Sequence, residues 1–143
     1  MTIVGTLKIV PLSDRRSEVL EILRSVQGPV LAEPGCTGCH IYEEPGPEQA
    51  VVLVERWESE VALEVHIRSE AYRRILGAIE LSAAPPEVRF DHVSVSEGME
   101  RIEQWRGMDG TDVDPHVVGG AGRDSGVETS KSRKIATGTH EEE

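Results

Sequence analysis

Residues 50–57 read Ala50-Val51-Val52-Leu53-Val54-Glu55-Arg56-Trp57, and this run decides the fold. β-Branched residues crowd it, as a pleated backbone favours. Successive side chains of a strand point to opposite faces. Val51 and Leu53 therefore lie on one side and Val52 and Val54 on the other, so both sides are apolar in the middle. A strand with one wet face alternates apolar with polar, whereas a strand apolar on both sides has both faces covered. Trp57 shares a face with Glu55 and Leu53.

Working outward, Ile3–Val10 alternates, with Ile3, Gly5, Leu7 and Ile9 on one face, and Pro11 ends it. Ser13 or Asp14 can cap a helix whose apolar stripe is Val19, Ile22, Leu23, Val26 and Val30. Gly28-Pro29 should kink or end that helix. Pro34-Gly35 forms a turn, and Cys39–Glu44 a short strand closed by Pro45-Gly46-Pro47. After Trp57, Ser59 caps a helix with Leu63, His66 and Ile67 on one side. Ser69 re-caps the chain or sits at a bend, and Tyr72, Ile75, Leu76 and Ile79 follow at helical spacing. Pro85-Pro86 stops that helix. In the last strand, Glu87–Val95, residues Val88, Phe90 and His92 alternate with Arg89, Asp91 and Val93. Ser96 can cap a short amphipathic helix through Met99, Ile102 and Trp105.

The order βαββαβ predicts an α+β, ferredoxin-like split βαβ fold, a four-stranded antiparallel sheet with helices on one face. The second apolar face of Val51–Val54 then needs a cover. A second copy packed sheet to sheet supplies one, so a homodimer is expected. The organisation reads as a folded domain over 1–96, a short C-terminal helix over 97–106 and an acidic tail over 107–143. That tail is rich in Gly, Asp, Ser and Thr and has no aromatic residue. Such a composition buries too little apolar surface to offset ordering entropy, so disorder is expected there.

Composition excludes several function classes. The formal net charge is −11, and acidic residues outnumber basic ones both before and after Gly107. Neither part carries the basic surface that nucleic acid or an anionic membrane requires. The N-terminus MTIVGTLKIV has neither the basic start nor the continuous apolar centre of a secretory signal. A cytoplasmic protein with no nucleic-acid and no membrane partner is expected. Gly-rich phosphate loops, G-x-S-x-G and H-E-x-x-H motifs do not occur, so no cofactor and no metal are expected.

One motif pulls the other way. Cys36-Thr37-Gly38-Cys39-His40 fits C-x-x-C-H, the pattern of covalent haem attachment, and its C-x-x-C portion also serves zinc sites and redox dithiols. These readings stay open beside the plainer one of two structural thiols, which is favoured. Cys39 and His40 are sequential on a strand and point to opposite faces, which weakens a zinc site. No helix start follows Cys36 to lower a thiol pKa, which weakens a redox site at Cys36 and Cys39.

The run VVLVERWESEVALEVHIRSEAYRRI resembles the antibiotic biosynthesis monooxygenase family, including its quinol-monooxygenase-like members. The resemblance rests on Glu55, Trp57-Glu58-Ser59, Leu63-Glu64, His66, Ser69 and Tyr72, and upstream on Glu33-Pro34-Gly35-Cys36 and Tyr42. It implies a dimeric α/β barrel with a small apolar pocket between each sheet and its helices. It also implies oxidation of quinols or polyketide aromatics by O2 without metal or flavin. A haem-degrading branch of the superfamily would place its iron ligand at Leu76, an Asn at about Leu7 and a pocket Trp at His66; all three differ here.

The expected function is therefore cofactor-independent monooxygenation of a quinol-like or other small aromatic molecule. His66 is the expected catalytic base, because an imidazole with a pKa near 6.5 suits removal of a phenolic proton. Trp57, Tyr42 and Tyr72 are the expected substrate-binding residues, with a structural role weighed for each. Glu55 is read as one half of an ion pair, with Arg89 among its candidate partners. A non-catalytic dimeric binding or stress-related module, and a dithiol redox protein using Cys36 and Cys39, are the alternatives.

Overall fold

The computed structural model describes residues 1–107. Its elements run β1 (Thr2–Ile9), α1 (Arg16–Leu31), β2 (Cys36–Glu43), β3 (Val51–Trp57), α2 (Glu60–Ile67), α3 (Glu70–Ile79), β4 (Glu87–Val93) and α4 (Met99–Trp105). The four strands form one antiparallel sheet in the order β2-β3-β1-β4. This is the ferredoxin-like split βαβ fold, with α2 and α3 sharing the second helical position. The chain divides into two units, Met1–Ser96 and Glu97–Glu143. The expected tail lies, from residue 108 onward, outside the described residues.

Strand registers fix which side chains share a face. Ile3 pairs with Trp57, Gly5 with Glu55, Leu7 with Leu53 and Ile9 with Val51. On the far side of β1, Gly5 pairs with Phe90 and Leu7 with Val88. On the far side of β3, Cys39 pairs with Glu55 and Ile41 with Leu53. This face carries the core: Ile3, Leu7, Ile9, Val51, Leu53 and Trp57 are buried against Val19, Leu23, Val26 and Val30 of α1 and Ile75 of α3. The opposite face presents Val4, Val52, Val54 and Tyr42, none of them buried. Both faces of β3 are apolar, as AVVLVERW requires, but only one is filled by the helices of its own domain.

Local chemistry explains the element ends, with some differences from expectation. Ser59 Oγ accepts from the Ala62 N–H and Ser69 Oγ from the Tyr72 N–H, each at 3.1 Å, so two N-caps split the segment into α2 and α3. α1 does not stop at Gly28-Pro29: Pro29 lies inside it and the helix runs to Leu31. Proline removes one donor only, and buried Val30 holds the last turn to the core. The N-cap is Arg15, without a side-chain cap, rather than Ser13 or Asp14. β2 begins at Cys36, three residues earlier than expected, because the strand absorbs an irregularity between Cys36 and Gly38. α4 is capped by Gly98 rather than Ser96, and its Arg101 guanidinium lies 5.0 Å from the Trp105 ring centroid. No helix among the described residues is long and apolar enough to cross a membrane.

Candidate functional site: a buried histidine between two glutamates

Three elements converge beneath the sheet. β3 delivers Glu55 and Trp57 to the inner face, two residues apart and hence on one side. α2 delivers His66, and the turn between α1 and β2 delivers Glu33. The turn is held by Gly35, which sits at φ +86° where a Cβ would collide with the Ala62 methyl of α2. The Glu58 N–H donates to the Gly35 carbonyl at 2.9 Å. The backbone thus brings Glu33 and His66 together across 33 positions of sequence.

The histidine is fully buried and both ring nitrogens are occupied. Nδ1 lies 2.9 Å from Glu33 Oε1, and Nε2 lies 3.1 Å from the Glu55 carboxylate. The Trp57 indole stacks on the imidazole, centroids 4.5 Å apart at 29°, and Tyr72 meets its edge at 5.2 Å and 83°. Trp57 Nε1–H reaches Glu55 Oε1 at 3.4 Å. No buried side-chain nitrogen or oxygen among the described residues lacks a partner. Burial disfavours the charged imidazolium, but hydrogen bonding and attraction from Glu55, with help from Glu33, outweigh it and raise the His66 pKa above 6.5.

Next to this cluster is a small apolar cavity of about 20 Å³. Leu7, Leu53, Ile75 and Phe90 wall it, and Glu55 and Tyr72 are its two ionisable groups. That volume holds about one water molecule. Gly5 matters here for close approach: a Cβ on it would lie 3.2 Å from the Phe90 ring. The Tyr72 pKa is raised, by burial first and then by Glu55, so its hydroxyl stays a donor at neutral pH.

The structure groups some of the expected site residues and separates others. Trp57 and Tyr72 both pack against His66. Tyr42 is not with them. It pairs in register with Val52, on the opposite face, and is 54% exposed. The parity of β2 puts Cys39 and Ile41 inward and Tyr42 outward. Glu55 does not pair with Arg89: Arg89 lies opposite Thr6 on the outer face and bonds Asp91 instead. Sequence reasoning thus missed Glu55 as the cavity's carboxylate. The available signal was its place in the inward series Val51, Leu53, Glu55, Trp57, where an acid among apolar residues demands a partner.

Cys36 and Cys39 are free thiols, partly buried and buried. Burial is the main cause raising both pKa values, Cys39 to about 12, and the nearby glutamates add to it. Cys39 faces inward while His40 is exposed. Among the described residues no three His, Cys, Asp or Glu side chains are grouped to hold a metal ion.

A family model described as antibiotic biosynthesis monooxygenase matches residues 2–78. Rv0793 from Mycobacterium tuberculosis is similar in structure at 26% identity, with a TM-score of 0.62 over 68% of this chain and 100% of that one. A conserved protein from Methanosarcina mazei Go1 is 22% identical, with a TM-score of 0.60 over 64% of this chain and 92% of that one. An antibiotic biosynthesis monooxygenase of known structure is 17% identical, with a TM-score of 0.59 over 65% of this chain and 99% of that one, which is a likeness of fold. A comparison with curated proteins finds no match. Matched over more than half its length, and carrying the βαββαβ fold, this chain belongs to the antibiotic biosynthesis monooxygenase family.

Proposed function

We propose that the protein is a homodimeric, cofactor-independent monooxygenase that oxidises a quinol-like or other small hydroxyaromatic molecule with O2. One observation carries the reading: an apolar cavity whose walls include a carboxylate, Glu55, and a phenol, Tyr72, with the carboxylate tied to buried His66. Family membership and the fold support it. The substrate loses its hydroxyl proton to the Glu33–His66–Glu55 cluster, because a phenolate gives up an electron to O2 far more readily than a phenol does. The resulting radical and superoxide combine into a carbon–oxygen bond, and the hydroperoxide loses water to leave a carbonyl. A quinol plus O2 then becomes a hydroxyquinone plus water. The substrate supplies all four electrons, two in becoming a quinone and two in gaining oxygen. The protein's part is to hold the anion and O2 together away from bulk water. Trp57 packs His66 in place, and Tyr72 donates a hydrogen bond to the substrate oxygen. Tyr42 belongs to the outer face, where it contributes to the dimer contact.

The cavity's volume favours a second reading, a non-catalytic dimeric module in which the cluster is structural, because an aromatic ring needs far more space than one water. For catalysis the substrate has to part Val88 and Phe90, which are 48% and 38% exposed on the edge strand. Raised thiol pKa values make the dithiol alternative the weakest of the three. Oxygen uptake with a panel of quinols decides. Uptake by the wild type that His66→Ala abolishes supports the enzyme; no uptake with any quinol supports the binding module.

A further inference from the structure

We propose that Glu55 is the group that accepts the substrate's proton, that His66 is a cationic positioning residue anchored by Glu33, and that the site accepts neutral hydroxyaromatics and rejects anionic ones. This rests on the monooxygenase reading and assigns the parts within it.

Access comes first. Of the three ionisable groups in the cluster, Glu55 alone lines the cavity. His66 has no exposed surface, and Glu33 and Glu55 fill both of its nitrogens. An ionised carboxylate has only lone pairs to offer, so a ring nitrogen facing one must carry hydrogen. In this assignment both glutamates are ionised, so both nitrogens carry hydrogen and the ring is an imidazolium. An imidazolium has no lone pair with which to act as a base. The indole face of Trp57 against the ring suits a cation as well.

Charge comes second. The titratable groups around His66 are Glu33 from the α1–β2 turn, Glu55 from β3 and Tyr72 from α3, with Cys36 and Cys39 of β2 beside the glutamates. Among the described residues neither glutamate has an ion-pair partner other than His66. In the proposed assignment two carboxylates and one imidazolium leave one net negative charge beside an apolar cavity. A neutral phenol relieves it: the substrate O–H bond breaks, an O–H bond forms on Glu55, and the electron pair stays on the substrate oxygen. The cluster becomes neutral as the substrate becomes anionic. A ligand that arrives already charged sets a second negative charge against the first in a low-dielectric site, where repulsion is severe. Tyr72 stays protonated and donates to the oxygen that gains the charge.

The test uses the full chain labelled with 15N-histidine, together with hydroquinone and its carboxylated analogue gentisate. At pH 7.5 both His66 nitrogens are expected at protonated shifts, and hydroquinone is expected to bind at least tenfold more tightly than gentisate. Glu55→Gln is expected to lower kcat by about 10²–10⁴-fold with little change in KM, and Glu55→Asp to recover part of it and shift the pH–rate profile. A His66 nitrogen at the unprotonated shift, equal binding of gentisate, or full activity in Glu55→Gln overturns the proposal. If wild type oxidises no quinol, the monooxygenase reading fails separately. The histidine shifts and the binding ratio still decide the charge assignment.

Discussion

Gly35 and Ala62 meet so closely that no side chain fits on the glycine, whose φ of +86° already disfavours one. This contact clamps the turn bearing Glu33 to the helix bearing His66. Gly35→Ala should therefore destabilise the domain by about 2–4 kcal/mol, from backbone strain together with overpacking. Thermal unfolding measures the loss. A variant within about 0.5 kcal/mol of wild type would mean that the turn is not held as described.

The sign of the pH dependence follows from His66. Its folded-state pKa is raised above 6.5, while the unfolded chain keeps the ordinary value. Between the two the folded state holds more protons, so stability falls as pH rises. The contribution is complete below pH 6.5 and is lost as pH climbs through the folded-state value. Melting temperatures from pH 6 to 8.5 should therefore decline, and His66→Gln should flatten that decline. The Cys39 thiol acts with the same sign only above pH 9, so the two windows separate. A melting temperature that rises from pH 6.5 to 8.5 contradicts the assignment.

Much of this architecture was legible in the sequence, and the reasons are local. Strand parity in AVVLVERW and the Ser59 and Ser69 caps are short-range signals, and β3, α2 and α3 follow them. The fate of α1 at Pro29 was not legible, because tertiary burial of Val30 overrides the local cost of proline. The cluster was half legible. His66, Trp57 and Tyr72 lie within sixteen residues and could be grouped from spacing. Glu33 reaches His66 only through the Gly35 turn, and the parity of Tyr42 depends on an irregularity between Cys36 and Gly38. Both are facts of three-dimensional register that hydrophobic periodicity does not encode.

The two thiols should be slow to react. Thiolate is the reactive form, and a thiol with a pKa of about 12 is ionised in about one molecule in ten thousand at pH 8. Cys39 is also fully buried, and the Gln27 side chain bonds its carbonyl at 2.8 Å. Iodoacetamide at pH 8 should label Cys36 slowly and Cys39 only after denaturant is added, as read by intact mass. Rapid double labelling of the native protein, or a reversible loss of two protons under mild oxidation, would restore the dithiol reading.

The outer face of the sheet supplies the last test. Val4, Val52 and Val54 lie there together with Tyr42, with Lys8, Arg56, Arg89 and Asp91 around them. A stable interface buries on the order of 800 Å² per partner and excludes charge from its centre. The valines fit a centre and the charged residues a rim. Val54 pairs with Thr6 on one side and His40 on the other, which puts it in the middle of the sheet. A lysine there cannot reach solvent if a twin sheet covers it, and burying an unpaired ammonium costs several kcal/mol. Sedimentation velocity should show the wild type as a dimer of 15.7 kDa chains and Val54→Lys as a folded monomer. Arg56→Ala, at the rim, should remain dimeric. Wild-type chains that sediment singly at 100 µM would leave this face without a partner and remove the homodimer from the proposed function.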